Sequence, residues 1–189
     1  MSELSVGSLS GLAANSYVVD IASGSSLDLS NATDLPASAL PAGSILQVVS
    51  TAKTDTYTES VAGSAFSSEI TGLSATITPS TTSSKILVMV ALGGVYTVTG
   101  IKLLVNGSDS DYIGDTSGSR GRASSAATFG TSTTIVYLHS PASTSAQTYT
   151  VKVQNQESST QTLYVNTSSI DQLRAPTTAS SITLMEVAG

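Results

Sequence analysis

The sequence predicts an all-β protein: an antiparallel, jelly-roll-like β-sandwich preceded by an extended N-terminal segment. Three observations carry that prediction. Short runs of Val, Ile, Leu, Thr and Tyr recur along the chain, and many alternate apolar residues with Ser or Thr, as a strand with one wet face does. Helical spacing is nearly absent; only residues 2–12, with Val6, Leu9 and Leu12, suit a short helix, and Gly7 and Gly11 argue against it. About ten runs are separated by turn-rich spacers, the pattern of a sandwich or barrel.

The runs follow in order. Residues 17–21 form a β-branched stretch, and Leu27 and Leu29 alternate with polar neighbours. Residues 45–50 make a strand opened by Pro41-Ala42-Gly43. Thr54, Thr56 and Thr58 alternate with Asp55, Tyr57 and Glu59, and Leu73, Ala75 and Ile77 alternate with hydroxyl residues up to Pro79. Residues 85–92 (KILVMVAL) are apolar on both parities, which predicts a central strand buried on both faces. Residues 95–99 and 101–105 read as two strands broken at Gly100, followed by the hairpin signal Asn106-Gly107. Residues 122–129 form a weak strand and 135–138 a dense one. Tyr149, Val151 and Val153 alternate within 148–154, and residues 163–165 and 182–187 complete the set. Three Pro-led hydroxyl loops, at Pro79, Pro141 and Pro176, each feed a strand; clustered at one end, they would form a surface.

Composition narrows the function. The 189 residues include 36 Ser and 26 Thr, and charged residues make up only 11% of the chain, against about 25% in an average protein. The net charge is −6 with no Lys/Arg cluster, so no nucleic-acid partner is expected. The hydrophobic fraction of 40% is too high for a chain that stays unfolded. The longest apolar run, residues 86–94, is too short for a membrane span of about 20 residues, so no membrane insertion is expected. The opening MSELSVGSLSGLAANS does not read as a secretory signal.

The chain divides at Pro41-Ala42-Gly43 into an extended segment, 1–43, and a sandwich domain, 44–189. A segment of about 40 residues without disulfide or metal does not bury enough surface to fold alone. It wants a neighbour, which its own C-terminal domain, another protein or identical copies could supply; copies intertwined about a three-fold axis are favoured, with Leu4, Val6, Leu9, Leu12, Val18, Ile21, Leu27 and Leu29 as the candidate anchoring and trimer contacts.

Catalytic signals are weak. The absence of Cys excludes thiol nucleophiles and thiolate zinc sites. The nearest approach to a nucleophile elbow, residues 7–11, has Leu at the nucleophile position. His139, the single histidine, reads as a strand-end or interface residue. No phosphate loop, dinucleotide fingerprint or zinc motif is present, so no cofactor and no enzyme activity are expected. Asp109, Asp111 and Asp115 miss the EF-hand spacing and read as a solvated hairpin loop. They could pair for glycoside hydrolysis, but the Trp platforms usual at such sites are missing. Arg120 and Arg122 are the only close cationic pair, suited to an ion pair across the hairpin or to an acidic partner. Asp109, Asp111, Tyr112, Arg120 and Arg122 are the candidate receptor contacts, because polar loops carrying a Tyr bind sugars or protein edges. Asn31, Asn106 and Asn166 fit the glycosylation sequon, a pattern that abundant Ser and Thr produce by chance.

Residues 40–49 (LPAGSILQVV), 54–57 (TDTY), 70–80 (ITGLSATITPS) and 83–90 (SSKILVMV) together resemble a module of virion proteins from tailed phages, notably cyanophages and other marine phages. The ending 179–189 (ASSITLMEVAG) resembles the way such modules finish. Residues 4–13, 17–21 and 26–29 look like the attachment segment of phage tail fibres, whereas residues 106–170 carry little of the likeness. The resemblance implies a homotrimeric structural protein of the virion, on the tail or capsid surface. A short tail fibre or appendage for host attachment is the leading expectation, with other virion proteins and a host glycan or outer-membrane protein as partners. A capsid decoration protein is the alternative.

Overall fold

The computed structural model describes residues 40–96, 99–128, 130–173 and 175–189. The predicted strand at 17–21 and the anchoring residues Leu4, Val6, Leu9, Leu12, Val18, Ile21, Leu27 and Leu29 lie outside the described residues.

The described strands are β1 (Ile45–Lys53), β2 (Tyr57–Val61), β3 (Ser74–Ile77), β4 (Lys85–Tyr96), β5 (Thr99–Val105), β6 (Ser108–Asp109), β7 (Ser125–Ala127), β8 (Thr131–His139), β9 (Gln147–Asn155), β10 (Gln161–Val165) and β11 (Ser180–Val187). They form two antiparallel sheets, as the sequence predicts. The larger has the order β1-β11-β4-β10-β2, with β8 on the other edge of β4. The smaller has the order β3-β9-β5-β6, with β7 also on β5.

Period-two alternation builds the core. Ile86, Val88, Val90 and Leu92 of β4 are buried together with Ile182 and Leu184 of β11 and Ile135 of β8. From the smaller sheet, Tyr149, Val151 and Val153 meet Ile101 and Leu103 in the same cluster. Register locks these rows: Leu184, Val88 and Tyr137 are cross-strand neighbours, as are Ile182, Val90 and Ile135. A slip of one residue would turn each row to solvent.

Two expectations are corrected. First, β4 is central but not buried on both faces within the chain: Leu87 is half-buried, and Met89 and Ala91 are exposed. Second, Gly100 does not break a strand. β5 runs through it, paired to Gln154 on one edge and Ala126 on the other, and Val95 belongs to the end of β4. The predicted hairpin turn is present, with Asn106 and Gly107 at φ 52° and 78°. Paired positive φ values of this kind match the right-handed twist of the flanking strands.

The end of β4 changes partner from β11 to β10, and side chains cover the junction. The N–H groups of Gly93 and Gly94 donate to Ser180 Oγ and Thr178 Oγ1, each at 2.9 Å. Ser180 Oγ donates to Asn166 Oδ1 (2.6 Å), and Asn166 Nδ2 donates to the carbonyls of Lys53 and Asp55, each at 3.0 Å. A Cβ on Gly93 would lie 2.5 Å from Asn166 Oδ1 and 2.8 Å from the Ala179 carbonyl, so only glycine fits there. Asn166 is fully buried in this role, which removes it as a glycosylation acceptor in the folded chain. The Pro-led loops do not share one end. Those at Pro79 and Pro141 adjoin the Ile86–His139 pair, whereas Thr178 of the Pro176 loop binds Gly94 at the other end of β4.

Candidate functional site

Four of the five predicted contact residues, Asp111, Tyr112, Arg120 and Arg122, fall on one excursion of the chain, residues 110–124, both ends of which are tied to β5; Asp109 immediately precedes it. Ser110 N–H donates to Leu103 O (3.1 Å) and Ser124 N–H donates to Ile101 O (2.7 Å), so both feet stand on the same strand. Ser124 Oγ also accepts from Leu103 N (3.0 Å). Inside the loop, Gly114 N–H donates to Ala123 O (2.9 Å) and Arg122 Nε donates to Gly114 O (2.7 Å). These ties shape the loop without regular secondary structure, by satisfying its backbone groups internally.

The five residues have different surroundings. Asp109 lies in β6, just before the loop, and pairs with Lys102 Nζ at 3.0 Å; that ammonium also sits 4.1 Å above the Phe66 ring. Arg122 binds a carbonyl of its own loop, in contrast to the ion pair across the hairpin expected from sequence. Among the described residues the ion pairs are Lys53–Asp55 and Lys102–Asp109. Asp111 and Tyr112 line a pocket of about 310 Å³ with Ile113, Gly114, Ala123 and Ser124. Arg120 lines a second pocket of about 490 Å³ with Ser64, Ser119, Gly121, Gln154 and Gln156. The loop thus contributes to two pockets of different chemistry.

The larger pocket is walled by hydroxyls, amides and one guanidinium. Gln154 is buried; its Nε2 donates to Ser64 O (3.1 Å), and its Oε1 has no hydrogen-bond partner. A Cβ on Gly121 would come within 2.7 Å of that oxygen, so glycine lets the loop close over the amide.

The smaller pocket adjoins an aromatic column. Tyr112 stacks on Tyr137 (centroids 5.1 Å apart), Tyr137 on His139 (5.8 Å), and His139 meets Tyr149 edge-on (5.8 Å). His139 Nδ1 and Tyr149 Oη share a hydrogen bond of 2.7 Å. Burial pushes the Tyr149 phenol well above its ordinary pKa, with Tyr137 adding to the shift, so it stays protonated. Burial lowers the His139 pKa below 6.5, with Asp111 opposing in part. His139 therefore bridges the two sheets as a neutral ring at pH 7.

This has a pH signature. A lowered histidine pKa means that the unfolded chain takes up the proton first, so stability is full above about pH 6.5 and falls on acidification. Denaturant titrations between pH 7.5 and 5 are expected to show that decline, and His139→Gln should remove the part due to His139. An unchanged profile in the variant would contradict the assignment.

Sequence reasoning found the loop but not its walls. Ser64, Gln154 and Gln156 come from distant segments; Tyr137 and His139 share one face of β8 at i, i+2 spacing, and His139 meets Tyr149 only because β8 and β9 belong to facing sheets. Among the described residues, no group of three or more His, Cys, Asp or Glu side chains is arranged to hold a metal ion. No protein-family model matches the chain, and no curated protein matches its sequence.

Proposed function

We propose that this chain is a non-catalytic structural protein of a tailed-phage particle, a short trimeric fibre or appendage that attaches to the host. Residues 1–43 anchor and trimerise it, and the sandwich presents the 110–124 loop to a host-surface saccharide. The resemblance of residues 40–49, 54–57, 70–80 and 83–90 to phage virion modules supports the virion setting. The loop carries the attachment reading, because it joins a pocket of hydroxyls, amides and Arg120 to one edged by Tyr112. Sugars need that pair of features: polar groups for their hydroxyls and an aromatic face for their C–H surface.

Calorimetric binding of host envelope polysaccharide to the purified full chain tests the reading. Tyr112→Ala and Arg120→Ala are each expected to weaken binding about tenfold, or ~1.4 kcal/mol, with little change in melting temperature. Wild-type affinity in both variants, or no binding by the wild type, would refute it.

A second reading, a decoration protein cementing a phage head, is favoured by the apolar outer side of the larger sheet. Copy number separates the two: hundreds of chains per particle for decoration, tens at most for a fibre.

A further inference from the structure

We propose that the saccharide taken by the 110–124 loop is acidic: the sugar it recognises bears a carboxylate, held by Arg120 with Lys152 beside it. This deepens the attachment reading above and rests on it.

Unspent cations point to the class of ligand. The chain has 7 Lys and Arg against 13 Asp and Glu, so counter-charges are plentiful. Lys53 and Lys102 take them in ion pairs, and Arg122 is spent on a carbonyl of its own loop. The Arg120 guanidinium forms no hydrogen bond or ion pair among the described residues. No other residue lining its pocket is charged. A planar guanidinium fork matches the two coplanar oxygens of a carboxylate. The hydroxyls and amides around it suit the rest of a sugar ring.

Sheet register brings a second cation to the same side. Val151 and Val153 point into the core, so Thr150, Lys152 and Gln154 alternate onto the outer face of β9. Lys152 stands opposite Lys102, and Gln154 opposite Gly100. Like charges directly opposite each other destabilise a sheet. Asp109 neutralises Lys102 at 3.0 Å, whereas Lys152 has no hydrogen bond or ion pair among the described residues. One positive charge is thus left over, about 7 Å along the strand from Gln154 at the pocket floor. An anion lying between Lys152 and Arg120 relieves it.

The floor itself is short of hydrogen bonds. Among the described residues the buried side-chain atoms without a partner are Thr150 Oγ1 and Gln154 Oε1, one on each side of Lys152. Unmade bonds of this kind are costly, and a hydroxyl-rich ligand supplies the missing partners. Gly121 lies over Gln154 Oε1, and lifting that glycine opens the oxygen to a sugar hydroxyl without unpacking a side chain.

The test is calorimetry of the full chain with host-envelope polysaccharide, intact and after carbodiimide–borohydride reduction of its carboxylates to alcohols. The intact form should bind about tenfold more tightly than the reduced one, and added salt should narrow the difference. Arg120→Gln should weaken binding of the intact form about tenfold and Lys152→Gln about threefold, each with little effect on the reduced form. Lys85→Gln, on the other sheet, should change neither. Equal binding of intact and reduced polysaccharide would overturn the proposal and leave the attachment reading standing. So would variants that weaken both forms alike, a Lys85→Gln effect as large as that of Arg120→Gln, or a loss that follows desulfation instead of carboxyl reduction. Absence of binding to every form would sink the attachment reading, and this proposal with it.

Discussion

Replacing Val88 by Asp is expected to abolish the cooperative fold. Val88 is fully buried at the middle of β4, between Leu184 and Tyr137 in register. The substitution forfeits about 1.5–3 kcal/mol of apolar burial. It also places a carboxylate where no cation lies opposite, at a further cost of several kcal/mol. Together these approach the ~5–15 kcal/mol that holds a whole domain. Met89, the next residue, points to the outer face, so Met89→Asp should leave a folded chain. Circular dichroism melting of the pair is decisive: two folded proteins, or two unfolded ones, would contradict the one-faced burial of β4.

Glu186→Ala is expected to be the next most damaging change, at about 3–5 kcal/mol. Glu186 is fully buried on β11. Its Oε2 accepts from Gln47 Nε2 (2.6 Å) and Ser80 Oγ (3.1 Å), and its Oε1 accepts from Ser80 N (2.6 Å). One carboxylate thus fastens β1 and the Pro79 loop to β11. Hydrogen bonds to a charged group are worth about 1.5–3 kcal/mol each, and removing the acceptor strands its donors. Burial alone would raise the Glu186 pKa, but the hydrogen bonds from Gln47, Ser84 and Ser80 outweigh it and hold the carboxyl below 4.5. A depressed carboxyl pKa stabilises the fold above about pH 4.5 and loses that contribution as pH falls through the folded value. Urea unfolding at pH 7 and pH 3 should therefore show a smaller gap between wild type and variant in acid. A gap that is the same at both pH values would refute the role.

The sandwich was legible because period two is the direct imprint of a half-buried strand. Tyr149, Val151 and Val153 announce their inward face, and Asn106-Gly107 announces its turn. The pattern at 85–92 was read correctly as a central strand and incorrectly as one enclosed by its own chain. Two-sided apolarity records that both faces are dry, not whose atoms dry them. Gly100 misled for a related reason: glycine in a strand signals either a break or a close neighbour, and here it is the Gln154 amide, 2.9 Å from where a Cβ would stand. At the site, the polar loop with its Tyr and Arg stood out locally. Its walls did not, since Ser64 and Gln154 reach it through sheet pairing that no local pattern encodes. His139 was placed correctly at a strand end, but its bond to Tyr149 depends on how the two sheets face each other.

Gly43 N–H donates to the Ala188 carbonyl and Ala188 N–H to that of Ser44, each at 2.8 Å, so the polypeptide enters and leaves the sandwich at one corner. A gold-binding or fluorescent tag appended after Gly189 would consequently mark the place where the leading segment joins the sandwich. The 110–124 excursion on β5, in the opposite sheet, keeps its native sequence in such a tagged protein.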